Sequence, residues 1–183
     1  MRRDGAANRE KVLLAAEHVF AEKGAAASTD EVARRAGVSI ATVFRNFATK
    51  QDLIEATAVR HLEKLTAEAL RLADSRDAGQ AFASLMKTLA AAGPVKMTLL
   101  DLLPPHDGRE GLSRPVTEAA DAFRAALDGA LHRAQAAGAA RPEVTGDDVS
   151  LLLRALAHAT DLGEGEALDR VVGIVLDGLG VPR

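Results

Sequence analysis

The chain has 183 residues, enough for one medium domain or a small head on a larger body, and its 48% apolar and 27% charged composition is that of ordinary globular material, alanine-rich and inclined to helix. It has no cysteine, which excludes a disulfide framework and a thiolate zinc site; its early Met-Arg-Arg is followed by polar residues, and no apolar run approaches the roughly 18 residues a bilayer span needs, so a cytoplasmic protein without membrane contact is expected. A net charge of -3 argues against nucleic acid as a partner until its distribution is read: residues 1–51 hold nine Lys and Arg against six Asp and Glu, and residues 52–183 hold 14 against 20.

Taken in chain order, Val12, Leu13, Ala16, Val19 and Phe20 form an amphipathic stripe, predicting a first helix that stops at Gly24. Arg2, Arg3 and Arg9 precede or open it, either as a solvated tip or as an arm able to touch phosphates or a minor groove. Ser28 stands three residues before Glu31, the spacing of a reciprocal helix cap, so a second helix starts at Thr29. Gly37 ends it near Ala36 in a left-handed turn, Val38 is an apolar plug, and Ser39 caps a third helix over Ile40–Asn46.

Two short helices joined by a glycine-containing turn make a helix-turn-helix, whose second helix enters the major groove of DNA. Val32, Val38, Val43 and Phe47 can share one core, which leaves Ile40, Ala41, Thr42, Arg45 and Asn46 outward. Arg45 is the natural base reader, because a guanidinium can donate to both O6 and N7 of guanine; Thr42 and Asn46 suit phosphates or base edges. Thr49 and Asp52 cap the next helix and put Lys50 in its first turn, where ammonium and free amides favour a phosphate.

A long helix from Lys50 past Leu72 follows, with Ile54, Ala58, Leu62, Leu65 and Ala69 on one side; it leaves the head for the body. Asp77 and Gln80 open a helix with Phe82, Leu85, Met86 and Leu89 inward, expected to stop at Gly93-Pro94, and a short helix over Val95–Leu103 follows. Residues 104–113 read as a loop. Ser113 caps a helix reaching Ala137, Thr145 and Asp148 cap one from about Gly146 to Leu162, and a last helix covers Glu166–Leu179. The expectation is an all-α fold of about nine helices and no strands: a three-helix helix-turn-helix head at 1–51 and a helical ligand-binding and dimerisation bundle at 52–183.

In this head the chain resembles the TetR family of bacterial regulators. The resemblance rests on Phe20, Gly24, Ser28, Ala33, Gly37-Val38-Ser39, the run Thr42-Val43-Phe44-Arg45-Asn46-Phe47 and Thr49-Lys50, in that order, over residues 8 to 56 or so. It implies DNA contacts at Ser28, Thr29, Ser39, Ile40, Ala41, Thr42, Phe44, Arg45, Asn46 and Lys50. Two positions depart from the family: Phe44 stands where a phosphate-bonding tyrosine is frequent, so that bond is unavailable, and Asn46 stands where histidine is frequent but can still donate to a phosphate.

The resemblance also implies that the last two helices pair with their two-fold mates. Both are apolar around much of their circumference, as helices buried on two faces are; Leu152, Leu156, Val171, Val172, Val175 and Leu179 are the candidates for the dimer interface. Phe82, Met86, Met97, Leu100 and Phe123 are candidates for the wall of a small-molecule pocket, with His158 as a polar anchor and His106 and Arg109 at its mouth. Catalysis is not expected. The five histidines are scattered without ligand spacing, Asp128 and His132 read as a solvated pair, Gly163-x-Gly165 lacks a third glycine, and neither metal nor cofactor is indicated. The expected function is a homodimeric regulator of near-palindromic operator DNA, a repressor released by an effector. The alternatives are an activator of the same fold and a ligand-binding or scaffold protein with a vestigial head.

Overall fold

The computed structural model describes residues 2–103, 112–159 and 166–180, without the side chains of residues 2–4 and 158–159. Among these residues all regular structure is helical: α1 (Arg2–Lys23), a 3₁₀ turn (Gly24–Ala26), α2 (Thr29–Ala36), α3 (Ile40–Asn46), α4 (Lys50–Ala73), α5 (Ala78–Asp101), α6 (Arg114–Ala136), α7 (Gly146–Ala159) and α8 (Glu166–Leu179). The expected break at Gly93-Pro94 is absent. Pro94 removes one backbone donor and crowds the turn before it, a cost of about 3 kcal/mol in a helix interior. Against this, Leu89, Ala90 and Leu99 are buried on either side of it along the same helix, and a fully buried leucine contributes about 1.5–3 kcal/mol. One continuous helix therefore replaces two short ones, and the described residues hold eight α-helices rather than nine. The predicted loop at 104–113 and the end of the seventh helix at Leu162 fall mainly outside the described residues, as do His106 and Arg109.

The chain forms two compact units, Met1–His61 with Val95–Glu118, and Leu62–Pro94 with Ala119–Arg183. The first has a core built from the stripe of α1 (Val12, Leu13, Ala16, Val19, Phe20), Val32 and Ala33 of α2, Val43 and Phe47 around α3, and Leu53, Ile54 and Ala58 of α4, with Leu99 of α5. Its helix ends are fixed by side chains. Ser28 Oγ accepts from the Glu31 amide at 3.2 Å while Glu31 Oε2 accepts from the Ser28 amide at 3.1 Å. Gly37 adopts φ 67°, left-handed backbone in which a side chain is strained, and the Val38 amide reaches back to the Ala33 carbonyl at 3.1 Å. Thr49 and Asp52 exchange a reciprocal pair of bonds, both 3.0 Å, at the start of α4. Arg60 of α4 donates to Glu17 of α1 at 2.8 Å and also to Glu10, and His61 Nδ1 lies 3.0 Å from Glu17 Oε1, so α1 and α4 are strapped together at the far end from the turn.

The second unit is held by aliphatic packing. Leu62 and Leu65 of α4, Phe82, Leu85, Met86 and Leu89 of α5, and Phe123, Leu127 and Leu131 of α6 are all buried. A separate small cluster joins Ala90 of α5 to Leu156 of α7 and Val172 of α8, with Leu153, Leu168, Val175 and Leu176 around it. The approach of α5 to α7 depends on Gly93, where an added Cβ would stand 2.7 Å from the Ala157 Cβ.

Candidate nucleic-acid interface

The second short helix is presented by the bonds at its two ends. Ser39 Oγ accepts from the Thr42 amide at 3.2 Å and lies 2.9 Å from Thr42 Oγ1, and Phe47 closes the other end with its amide on the Val43 carbonyl at 2.9 Å. Val43 and Phe47 are buried, so the rest of this seven-residue helix is turned by its own period towards water. Ala41, Phe44 and Arg45 are exposed, and Phe44 is 48% exposed despite being aromatic. Arg45 makes no hydrogen bond or ion pair among the described residues, so all its donors are uncommitted.

Other expected positions are more constrained. Ile40 was expected outward; it is half-buried and packs on the core of the first unit. The reason is helical period: Ile40, Val43 and Phe47 are spaced i, i+3, i+7 and fall on one face, a signal present in the sequence. Asn46 donates its side-chain amide to the Thr42 carbonyl at 2.8 Å, which leaves one N–H and its oxygen for a partner. Lys50 Nζ donates to the Ala25 carbonyl at 3.0 Å, so the ammonium at the start of α4 is held against the 3₁₀ turn with two N–H groups spare. Ser28 and Thr29 are half-buried, and the Ser28 hydroxyl is already engaged with Glu31.

Behind this surface α1 and α2 enclose a groove of about 370 Å³ lined by Val19, Glu22, Lys23, Glu31, Arg34 and Arg35. Ion pairs cross it, Arg35 to Glu22 at 2.8 Å and Lys23 to Glu31. The hydrogen bond from Lys23, followed by that from the Ser28 amide, lowers the Glu31 carboxyl to about 2. Those contacts brace α2 on α1 and leave the exposed side of α3 untouched.

The expected pocket residues divide between the units. Phe82, Met86 and Phe123 are buried in the second, Met97 and Leu100 are half-buried residues of the first, and the His158 side chain lies outside the described residues. The cavity beside Phe82, lined also by Leu72, Ala81 and Ala130, is about 10 Å³, room for one water at most.

The dimer candidates divide as well. Leu156, Val172 and Leu179 are buried within the chain itself, Leu152 and Val175 are half-buried, and Val171 is 43% exposed. On α8 the inward stripe is Leu168, Val172, Val175, Leu179 and the outward one Val171, Ile174, Gly178, two faces about a quarter of a turn apart. Leu151 at 62% and Ile174 at 70% exposure are the large apolar side chains on the outer faces of α7 and α8, and neither stood among the six candidates. Asp128 and His132 form no ligand set; among the described residues no cluster of three metal-binding side chains occurs, and no helix is long and apolar enough to cross a membrane.

Residues 12–57 match the family model for bacterial regulatory proteins, tetR family, and residues 77–181 match the model for the C-terminal domain of SbtR-like transcriptional regulators. Among solved structures the chain is similar to a TetR transcription regulatory protein from Mycobacterium vanbaalenii, at 33% identity over 98% of this chain and 99% of that one with a TM-score of 0.78. A TetR transcriptional regulator from Streptomyces coelicolor is similar at 27% identity, 96% and 99% coverage and a TM-score of 0.79. Curated relatives match over shorter stretches: YvkB of Bacillus subtilis (strain 168), an uncharacterized HTH-type transcriptional regulator, is 45% identical over 53 residues, 28% of this chain and 28% of its own length. The HTH-type transcriptional activator FasR of Mycolicibacterium smegmatis is 41% identical over 58 residues, 31% of this chain and 26% of its own length.

Proposed function

We infer, from the premise that this chain belongs to the TetR family of DNA-binding transcriptional regulators, that it acts in the cytoplasm as a homodimeric repressor of a near-palindromic operator and is released by a small molecule. The supporting observation is α3: capped at Ser39, anchored by Val43 and Phe47, and offering an unpaired Arg45 beside exposed Ala41 and Phe44. In this reading residues 1–51 are the DNA head and residues 52–183 the effector-binding and dimerising body. Arg45 reads a guanine, Thr42 and Asn46 meet a phosphate or base edge, and Ser28, Thr29, Ser39 and Lys50 fix the register on the backbone. Phe44, which has no hydroxyl to offer a phosphate, suits a thymine methyl group. The reading is of a regulator and not of an enzyme.

Dimerisation is proposed through the outer faces of α7 and α8, with Leu151, Val171 and Ile174 at the centre and Leu152 and Val175 beside them. Two recognition helices related by a two-fold must lie about 34 Å apart to enter successive major grooves. Leu151→Glu with Ile174→Glu is expected to give a monomer in sedimentation analysis and to abolish operator binding; a double variant that stays dimeric would move the interface elsewhere. The effector would enter between Phe82, Met86 and Phe123, where flexible methionine allows the close-packed wall to open. Its binding would favour a tilt of α4, the helix that begins at Lys50 and continues to Ala73, and so spoil the spacing of the recognition helices. Such coupling is typically about 1–3 kcal/mol, or 5- to 150-fold in affinity, and acts only if the ligand prefers one state.

The test is to select genomic fragments bound by the protein and compare the chain with its Arg45→Ala variant on the best fragment and on unrelated DNA. Arg45→Ala is expected to cost about 1–3 kcal/mol on the selected fragment and little on the other. Equal losses on both would remove Arg45 from base reading, and a protein that binds no DNA would favour the vestigial head. The likeness of a 58-residue stretch to the activator FasR supports a second reading, activation from the same operator; a rise in transcription on adding the protein would select it.

A further inference from the structure

Phe47 closes α3 with its ring in the core of the first unit, and the outer face of that ring is not bare. The guanidinium carbon of Arg9, from α1, lies 5.2 Å from the ring centroid. Arg9 is itself exposed and makes no hydrogen bond or ion pair among the described residues. The acidic residue next to it in sequence, Glu10, accepts from Arg60 at 2.9 Å, and Arg9 acts on that carboxylate only through a weaker charge attraction. A guanidinium over an aromatic face is attracted by the ring while its five N–H donors stay in its own plane, free for a further partner. Here that fork sits where α3 ends and, two residues later, the Thr49 cap of α4 begins.

A partner for such a group must be anionic, planar or tetrahedral in its oxygens, and met from solvent. A nucleic-acid phosphate has this chemistry and takes guanidinium in bidentate fashion. We propose that Arg9 is a backbone clamp of the DNA interface: its guanidinium, oriented by the Phe47 ring, grips a phosphate beside the groove that α3 reads. The proposal rests on the DNA-binding reading above. It couples the two contacts, because the residue that ends the recognition helix also aims the clamp, so phosphate grip and helix position share one ring.

The experiment is fluorescence anisotropy of the full-length chain on a short duplex of arbitrary sequence and on the fragment flanking its own gene, as a function of salt. The chain is compared with Arg9→Gln, Arg9→Lys and, as a control for net charge, Arg71→Gln in the other unit. Losing one phosphate contact per protomer, two in the dimer, should lower the slope of log K against log salt by about 1.8 and weaken both duplexes alike, roughly 60-fold at 0.1 M salt. Arg71→Gln should leave the slope unchanged, and Arg9→Lys should recover only part of the loss, since it keeps the charge but not the fork. Full recovery by lysine would show that only net charge matters and overturn the clamp. An unchanged slope in Arg9→Gln, with a lowered melting midpoint, would make Arg9 a lid on Phe47 and overturn it too. If the unaltered chain binds neither duplex, the DNA reading itself falls and the clamp with it; if it binds both and Arg9→Gln binds as well, the clamp alone falls.

Discussion

In the first unit, helices of 22, 8 and 7 residues are started and stopped by side chains: the Ser28–Glu31 box, left-handed Gly37, Ser39 and the Thr49–Asp52 box. The second unit caps its helices too, at Asp77, which accepts from the Gln80 amide at 2.9 Å, and at the Thr145–Asp148 box, but between those caps the buried leucines and alanines of α4, α5 and α6 cover longer helix faces, and Gly93 brings α5 close to α7. The difference teaches where each kind of function can sit. A surface that must read a groove needs side chains fixed to a fraction of an ångström, and capped short helices give that. Long faces packed by aliphatic side chains are instead the kind of surface that tolerates repacking.

Substitutions sharpen the contrast. The largest effect belongs to the head core: Phe20→Ala, at a side chain with no exposure, should cost about 3–5 kcal/mol in denaturant or thermal unfolding, because the short helices around it have little else to collapse upon. In the body the most telling change adds one carbon. Gly93→Ala improves helix propensity by about 1 kcal/mol, yet its Cβ would meet the Ala157 Cβ at 2.7 Å and its Cα at 3.3 Å, neither of which can swing aside. Overpacking costs about 1–3 kcal/mol, so a net loss is expected, whereas Gly129→Ala in α6, which meets nothing closer than a flexible arginine end at 3.6 Å, should gain up to about 1 kcal/mol. If both alanine variants melt alike, the close helix approach is not what holds α5 and α7.

The smallest effect concerns an ion pair at the surface of the head. Glu31 ionises at about 2 in the folded chain against 4.5 for a free glutamate. Because its folded value is the lower one, its contribution is complete above about pH 4.5 and is lost as pH falls towards 2. Glu31→Gln should therefore melt earlier than the unaltered chain at neutral pH, with the gap closing over that acidic window; a gap independent of pH would assign the effect to the shape of the cap rather than to its charge.

Much of the head was legible because its rules are local. A serine three residues before a glutamate, a glycine before a valine plug, and apolar residues recurring with helical period each act over a few bonds of chain, and the structure realises them at Ser28, Gly37 and along α1. Ile40 obeys the same arithmetic: it shares its face with Val43 and Phe47 and is half-buried on the core, with the rest of its side chain open to solvent. What could not be read locally lies in the body. Nothing in the residues near Pro94 says that Leu99 will be buried far along the same helix, and nothing in α8, apolar on two sides, says which side Ala90 and Leu156 will claim. Val172 went inward and Ile174 outward by a choice made between distant elements. The candidate DNA surface was legible as residue types in order, while the engagement of Lys50 with the Ala25 carbonyl required the fold.

Pro94 brings a mechanical asymmetry. Its ring leaves one rung of the α5 ladder without a backbone bond, and it stands at the residue where the second unit hands over to the first. A helix bends most cheaply at a missing rung. α4 passes the corresponding boundary at His61 and Leu62 with no proline in its path. α5 thus carries at Pro94 a point of least resistance to bending that α4, proline-free along its length, does not have.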